Sequence, residues 1–175
     1  GRWWLSFGSF WSGIKQIAIN PATGKRSDNT IRSVAGRNGG AIEAPVIFKH
    51  GSHYYLYVSF DYCCRGVDSD YRLAVGRASQ LTGPYVDRDG VPMSAGGGTE
   101  LVRGYNEFQG PGHSDVLGSW FVHHYYDRAD GESRQSVRRL RWQDGWPVLG
   151  DPLSGSRWVG HGPAYTTVVH RTTGA

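Results

Sequence analysis

Two residues in this chain combine useful chemistry with a suggestive setting: Glu43 and His113. Glu43 stands between Ile42 and Ala44 in "GGAIEAPVIF", at the head of a stretch that reads as a buried strand. A carboxylate there is costly unless it is paired, or unless its surroundings favour the protonated form. A carboxyl that keeps its proton at working pH can serve as a general acid, whereas a paired one is only a satisfied buried group. His113 occupies a comparable place in a later segment, "GPGHSDVL". An imidazole there can ligate a metal ion or hydrogen-bond within a core. Two polar side chains directed at one axis would form a functional cluster.

The elements that must position them recur with a common pattern. "GRWWLSFGSF" (1–10), "GSHYYLYVSFDY" (51–62) and "GSWFVHHYYD" (118–127) each begin with Gly and run through aromatic residues into an apolar stretch. Each is followed by another strand-like segment: "GIKQIAIN", "YRLAVGRAS" and "SVRRLRW". The second and third are preceded by "EAPVIFK" and "GPGHSDVL", and closed by "GPYVDRDG" and "GWPVLGD". Four short strands per unit, repeated at several tens of residues, is the signature of β-propeller blades. No segment of ten or more residues carries a helical apolar period. The chain therefore reads as all-β, with about two whole blades and part of an earlier one. Strands near 44–49, 54–60, 71–78 and 83–87 are expected to form the most complete blade. The first strand of a blade lines the central channel and loops at one end build the site, which would aim Glu43 and His113 at the same axis.

Composition narrows the function classes. Aromatic residues reach 13% and glycine 26 residues, which favours strands, turns and flat ring-shaped ligands. The net charge of +4 comes from scattered arginines, as in "RQSVRRLR", without the dense basic block of a nucleic-acid partner. No apolar run approaches the ~20 residues that span a membrane. "GRWWLSFGSF" has neither the apolar core nor the cleavage site of a leader, and reads as the middle of a domain. Cys63 and Cys64 are adjacent, so they cannot staple a distant loop, and their spacing fits no zinc motif. They read as free, packed thiols. His123 and His124 lie in an alternating strand, where at most one can face the channel, and both read as structural.

The segments "WLSFGSFWSGI" (4–14), "AIEAP" (41–45), "VSFDYCCRG" (58–66), "LAVGRASQLTGPYVDRDG" (73–90) and "GPGHSDV" (110–116) closely resemble endo-α-1,5-L-arabinanases. These are members of family 43 of the glycoside hydrolases and are five-bladed propellers. The resemblance runs in order from about residue 3 to "DGWPVLGD" and gives a partial propeller domain over 1–151. The tail 152–175 matches nothing in the family, and its strand-like stretches could fold over an open edge.

The resemblance implies roles. Glu43 matches the family's general acid, which protonates the departing glycosidic oxygen while an opposed carboxylate activates water with inversion. His113 matches an axial histidine that, with waters, holds a metal ion usually assigned as calcium. One imidazole implies a mostly hydrated ion, since calcium prefers oxygen. Trp11 and Phe10 fall where the family's loop borders the sugar cleft, or else are blade-core aromatics. Cys63, Cys64 and Arg65 belong to the "DYCCRG" cleft wall and are weaker candidates for substrate contact. The partner implied is arabinan or an arabino-oligosaccharide, and an extracellular place is expected over a cytoplasmic one.

One departure matters. The family's base and a second, acid-orienting aspartate both precede the "WLSFGSFW" motif, and no Asp of this chain stands in a matching context. The chain resembles the C-terminal half or more of an arabinanase, and a second chain could cover its open edges. Two alternatives stay open: a non-catalytic arabinan-binding propeller module, and an arabinofuranosidase or xylosidase of the same family that trims chain ends.

Overall fold

The computed structural model describes residues 2–153; the tail reading for 152–175 falls almost wholly outside them. Among the described residues, eleven strands form three antiparallel sheets. The first sheet holds β1 (Trp3–Phe7), β2 (Ile14–Ile19) and β3 (Arg32–Ala35). The second holds β4 (Ile42–His50), β5 (His53–Phe60), β6 (Arg72–Ala78) and β7 (Thr99–Val102). The third holds β8 (Phe108–Leu117), β9 (Trp120–Asp127), β10 (Ser133–Gln143) and β11 (Trp146–Pro152). In each sheet sequential strands pair as neighbours, so these are consecutive blades of a propeller, two of them complete. Strand β1 shares its pattern with β5 and β9 and so stands in the second-strand position. No inner strand pairs with it among the described residues.

The middle sheet explains its own composition. Leu56, Val58 and Phe60 of β5 pack toward the first sheet with Ile14, Val34 and Ile42. Tyr55 and Tyr57, on alternate positions, pack toward the third with Leu73, Val75, Phe121 and Leu140. A strand buried on both faces must be largely apolar, and "HYYLYVSF" is, apart from His53 at its start and Ser59. The inner edges, β4 and β8, pack against each other, and β1 lies against β4. Glu43 and His113 are therefore on neighbouring inner strands.

The fourth strand of the middle blade is not where the sequence placed it. Residues 83–87 contribute only single bridges of Val86 to Arg77 and Pro92. Asp87 bends this segment into a loop, its carboxylate accepting from the N–H groups of Asp89, Val91 and Gly98 at 3.0, 2.8 and 3.0 Å. The loop buries Met93 against Gly76. Strand β7 then completes the ladder, pairing Thr99 with Val75 and Glu100 with Ala74.

Candidate functional site

Glu43 is aimed by a defect in its strand. Ile42 pairs with Phe60 and Glu43 with Ser59, but the next pair is Val46 with Tyr57, so the register shifts. Ala44, inside the shift, has φ +52°, a left-handed conformation rare for a residue with a Cβ. A bulge of this kind turns a side chain out of the regular alternation. The half-buried carboxylate accepts a hydrogen bond on each oxygen: Ser9 Oγ donates to Oε2 and the Tyr71 hydroxyl to Oε1, both at 2.7 Å. Ser9 comes from the loop after β1, which hooks onto the head of β4 through Phe10 N donating to Ile42 O at 2.8 Å.

Tyr71 precedes β6 and is only 1% exposed. Its ring lies over Gly112 of β8, where a Cβ would strike it, and stacks on His124 with centroids 5.7 Å apart. Burial pushes its hydroxyl to a higher pKa, so the phenol stays protonated and can donate. Neither Tyr71 nor Ser9 stood out in the sequence. Ser59 gave the one usable signal, a hydroxyl inside an otherwise apolar and aromatic strand.

His113 is the sixth residue of β8 rather than its head. It lies between Gly112 and Asp115, where the register shifts, and has φ +50°. Its N–H donates to Ser59 Oγ at 2.8 Å. The exposed imidazole borders an open hollow of about 520 Å³ shared with Val122, His124, Ser133 and Gln135. Among the described residues, no group of three or more His, Cys, Asp or Glu gathers to bind a metal. A cation here would take one nitrogen from His113 and complete its shell with water, a thin protein donor set for an ion that prefers six to eight oxygens.

The aromatic candidates meet at the rim. Trp11 is 80% exposed, and Phe10 and Trp11 both have positive φ, at 55° and 31°. Phe10 packs against Tyr62 at 5.6 Å, and the Arg65 guanidinium lies over Tyr62 at 4.5 Å. The cysteines correct the sequence reading: Cys63 and Cys64 are joined in a vicinal disulfide, not free. Cys64 has φ +69°, which folds the second thiol back toward the first. The loop is fixed by Cys64 N donating to the Tyr126 hydroxyl at 2.9 Å.

Several carboxylates near this end are already engaged. Asp61 accepts from Arg37 and Arg72 at 2.6 Å each. Burial alone would raise its pKa, but the two guanidiniums outweigh burial and hold it below the usual range. Asp70 accepts from Tyr62 N, and Asp127 and Asp130 pair with Arg134.

The family model described as Glycosyl hydrolases family 43 matches residues 1–147. The extracellular endo-alpha-(1->5)-L-arabinanase 1 of Bacillus subtilis (strain 168) is 46% identical over 151 residues, covering 84% of this chain and 46% of that protein. The extracellular exo-alpha-(1->5)-L-arabinofuranosidase ArbA of Cellvibrio japonicus (strain Ueda107) is 36% identical over 168 residues, covering 85% and 48%. Among solved structures, a GH43 endo-arabinanase from Bacillus licheniformis superimposes with a TM-score of 0.81 at 50% identity, over 85% of this chain and 52% of the other. The chain spans about half the length of the relatives it matches.

Proposed function

Because this chain belongs to family 43 of the glycosyl hydrolases, we propose that it forms part of an enzyme cleaving α-1,5-linked L-arabinofuranosyl chains with inversion, Glu43 being the general acid. The observation that carries this reading is the aimed carboxyl: a bulged inner strand turns Glu43 toward Ser9 and Tyr71, beside an aromatic rim. In inversion, one carboxylic acid protonates the leaving oxygen while a second carboxylate, across the sugar, deprotonates water. We assign the second carboxylate to a part of the protein outside residues 2–153, since Asp61 is held by two arginines.

The rim gives the substrate its place. Exposed Trp11, with Phe10, Tyr62 and Arg65, offers ring faces and a guanidinium to furanose rings and hydroxyls. His113 would hold a hydrated cation, calcium in the family's usual assignment, which when bound would supply positive charge near the axis. Internal cleavage is favoured over end-trimming by the higher identity to the endo-acting relative. An extracellular place is supported by the names of those relatives and by the disulfide, since such bonds persist in oxidising compartments.

The test uses the full-length protein. Glu43→Gln keeps the shape and removes the transferable proton. Cleavage of linear arabinan should fall by ~10²–10⁴, the usual worth of general acid help, while arabino-oligosaccharide binding is retained. Activity close to the unaltered protein's would sink the role, and an unaltered protein that binds arabinan without releasing reducing ends would favour a binding module. Release of mixed oligosaccharides marks internal cleavage; release of a single short product marks end-trimming.

A further inference from the structure

Glu43 is held by two hydroxyls. The Tyr71 hydroxyl, which burial keeps protonated, donates to Oε1 at 2.7 Å. Tyr71 is 1% exposed and its ring packs between Gly112 and His124, so the donor is held in place. Oε1 is thus committed as an acceptor. Oε2 faces the Ser9 hydroxyl at 2.7 Å, and a hydroxyl can donate to an ionised carboxylate or accept from a protonated one.

We propose that Tyr71 is a positioning residue of the acid: its hydroxyl holds Oε1 as an acceptor and leaves Oε2, beside Ser9, as the oxygen that carries and delivers the proton. The proposal rests on the reading of Glu43 as general acid. In the step it serves, the Oε2 proton passes to the glycosidic oxygen, which also keeps the electron pair of the breaking C–O bond. Water forms the new bond at the anomeric carbon and loses its proton to the opposed carboxylate. Glu43 is left ionised, with Tyr71 and Ser9 both donating to it. The packing serves this hold, since Gly112 leaves room for the Tyr71 ring and His124 stacks on its face. Among the described residues, the titratable side chains beside Glu43 are Tyr71, which burial keeps protonated, and His124 of β9, which stacks behind the Tyr71 ring; the acid-orienting aspartate that the family resemblance implies has no match among them. Loop residue Ser9 brings no charge.

The experiment is Tyr71→Phe in the full-length protein, which keeps the ring and removes the donor. A donor to a carboxylate favours its ionised form, so without it the acid keeps its proton to higher pH. The alkaline limb of kcat/KM on linear arabinan should move up by about one pH unit, with KM changed by less than about twofold. A ¹³C titration of the Glu43 carboxyl, assigned by its loss in Glu43→Gln, should move the same way and needs no turnover. Gly112→Ala, which displaces the Tyr71 ring and leaves its hydroxyl in place on the ring, should shift both readouts the same way. Limbs and titrations that overlay the unaltered protein in Tyr71→Phe, or in Gly112→Ala should Tyr71→Phe not fold, overturn the proposal. An active Glu43→Gln protein would instead overturn the acid role, while the ¹³C titration still reports on Tyr71.

Discussion

Arg138 Nε donates to His123 Nε2 at 2.9 Å, which leaves the His123 Nδ1 proton for the carbonyl of His124 at 2.8 Å. The ring is thereby held neutral, with its tautomer set by its partners. Burial lowers its pKa from 6.5 to about 4, the His124 carbonyl opposes that, and the Arg138 charge adds to it. An unfolded chain takes up the His123 proton near pH 6.5 and the folded one does so only near 4, so stability falls as pH drops through that window. The loss at pH 4 is on the order of 3 kcal/mol from this residue alone. Denaturant titrations between pH 7 and 4 should show the decline, and His123→Gln should make it shallower, with His124, also lowered to about 4 by burial, accounting for part of what remains. An equally steep decline in that variant would place the acid sensitivity elsewhere.

At the level of elements, function is built from irregularity. Nine non-glycine residues among those described have positive φ, and six of them belong to the strands and loops around Glu43: Phe10, Trp11, Ala44, Asp61, Cys64 and His113. Strain of this kind concentrates where a site must hold side chains off the regular alternation. Strand β8 contributes most directly, because its two register shifts let Gly112 lie under the Tyr71 ring. Gly112→Ala would drive a methyl into that ring. Overpacking of a filled site costs about 1–3 kcal/mol, and the displaced Tyr71 would lose its hold on Glu43. Both a lower denaturation midpoint and a large loss of arabinan cleavage are expected in the full-length protein. A fully active, equally stable variant would show that β8 and Tyr71 are not in close register.

Among the described residues, the middle sheet is covered on both faces and the outer two are not. Trp3, Leu5 and Phe7 lie on one face of β1 at 60%, 47% and 39% exposed, while Trp4 and Ser6 share the opposite face with Ile14, Gln16 and Ala18. On the far sheet Leu117 and Val148 are 75% and 39% exposed. Apolar sheet faces and unpaired edges associate. Taken alone, these 175 residues are expected to sediment above the mass of one chain and to release no reducing ends from linear arabinan. A stable, active monomer would mean that one of its own aspartates serves as the base.

The residues alone determined the class and the order of the parts. Period-two alternation, glycine-led aromatic repeats and short turns can be satisfied only by strands, and the third blade falls where its segments predict. They also singled out Glu43 and His113, because a polar group inside an apolar strand is legible without a structure. What they could not determine was anything set by contact between distant segments. The fourth strand of the middle blade moved from 83–87 to 99–102 because Asp87 closes a loop on backbone groups up to eleven residues away. The thiols proved bonded because a left-handed turn at Cys64 brings them together. Ser9 and Tyr71 reach Glu43 from 34 and 28 residues away along the chain. No local pattern marks them, since a hydroxyl becomes the partner of a carboxylate only when the blades are stacked.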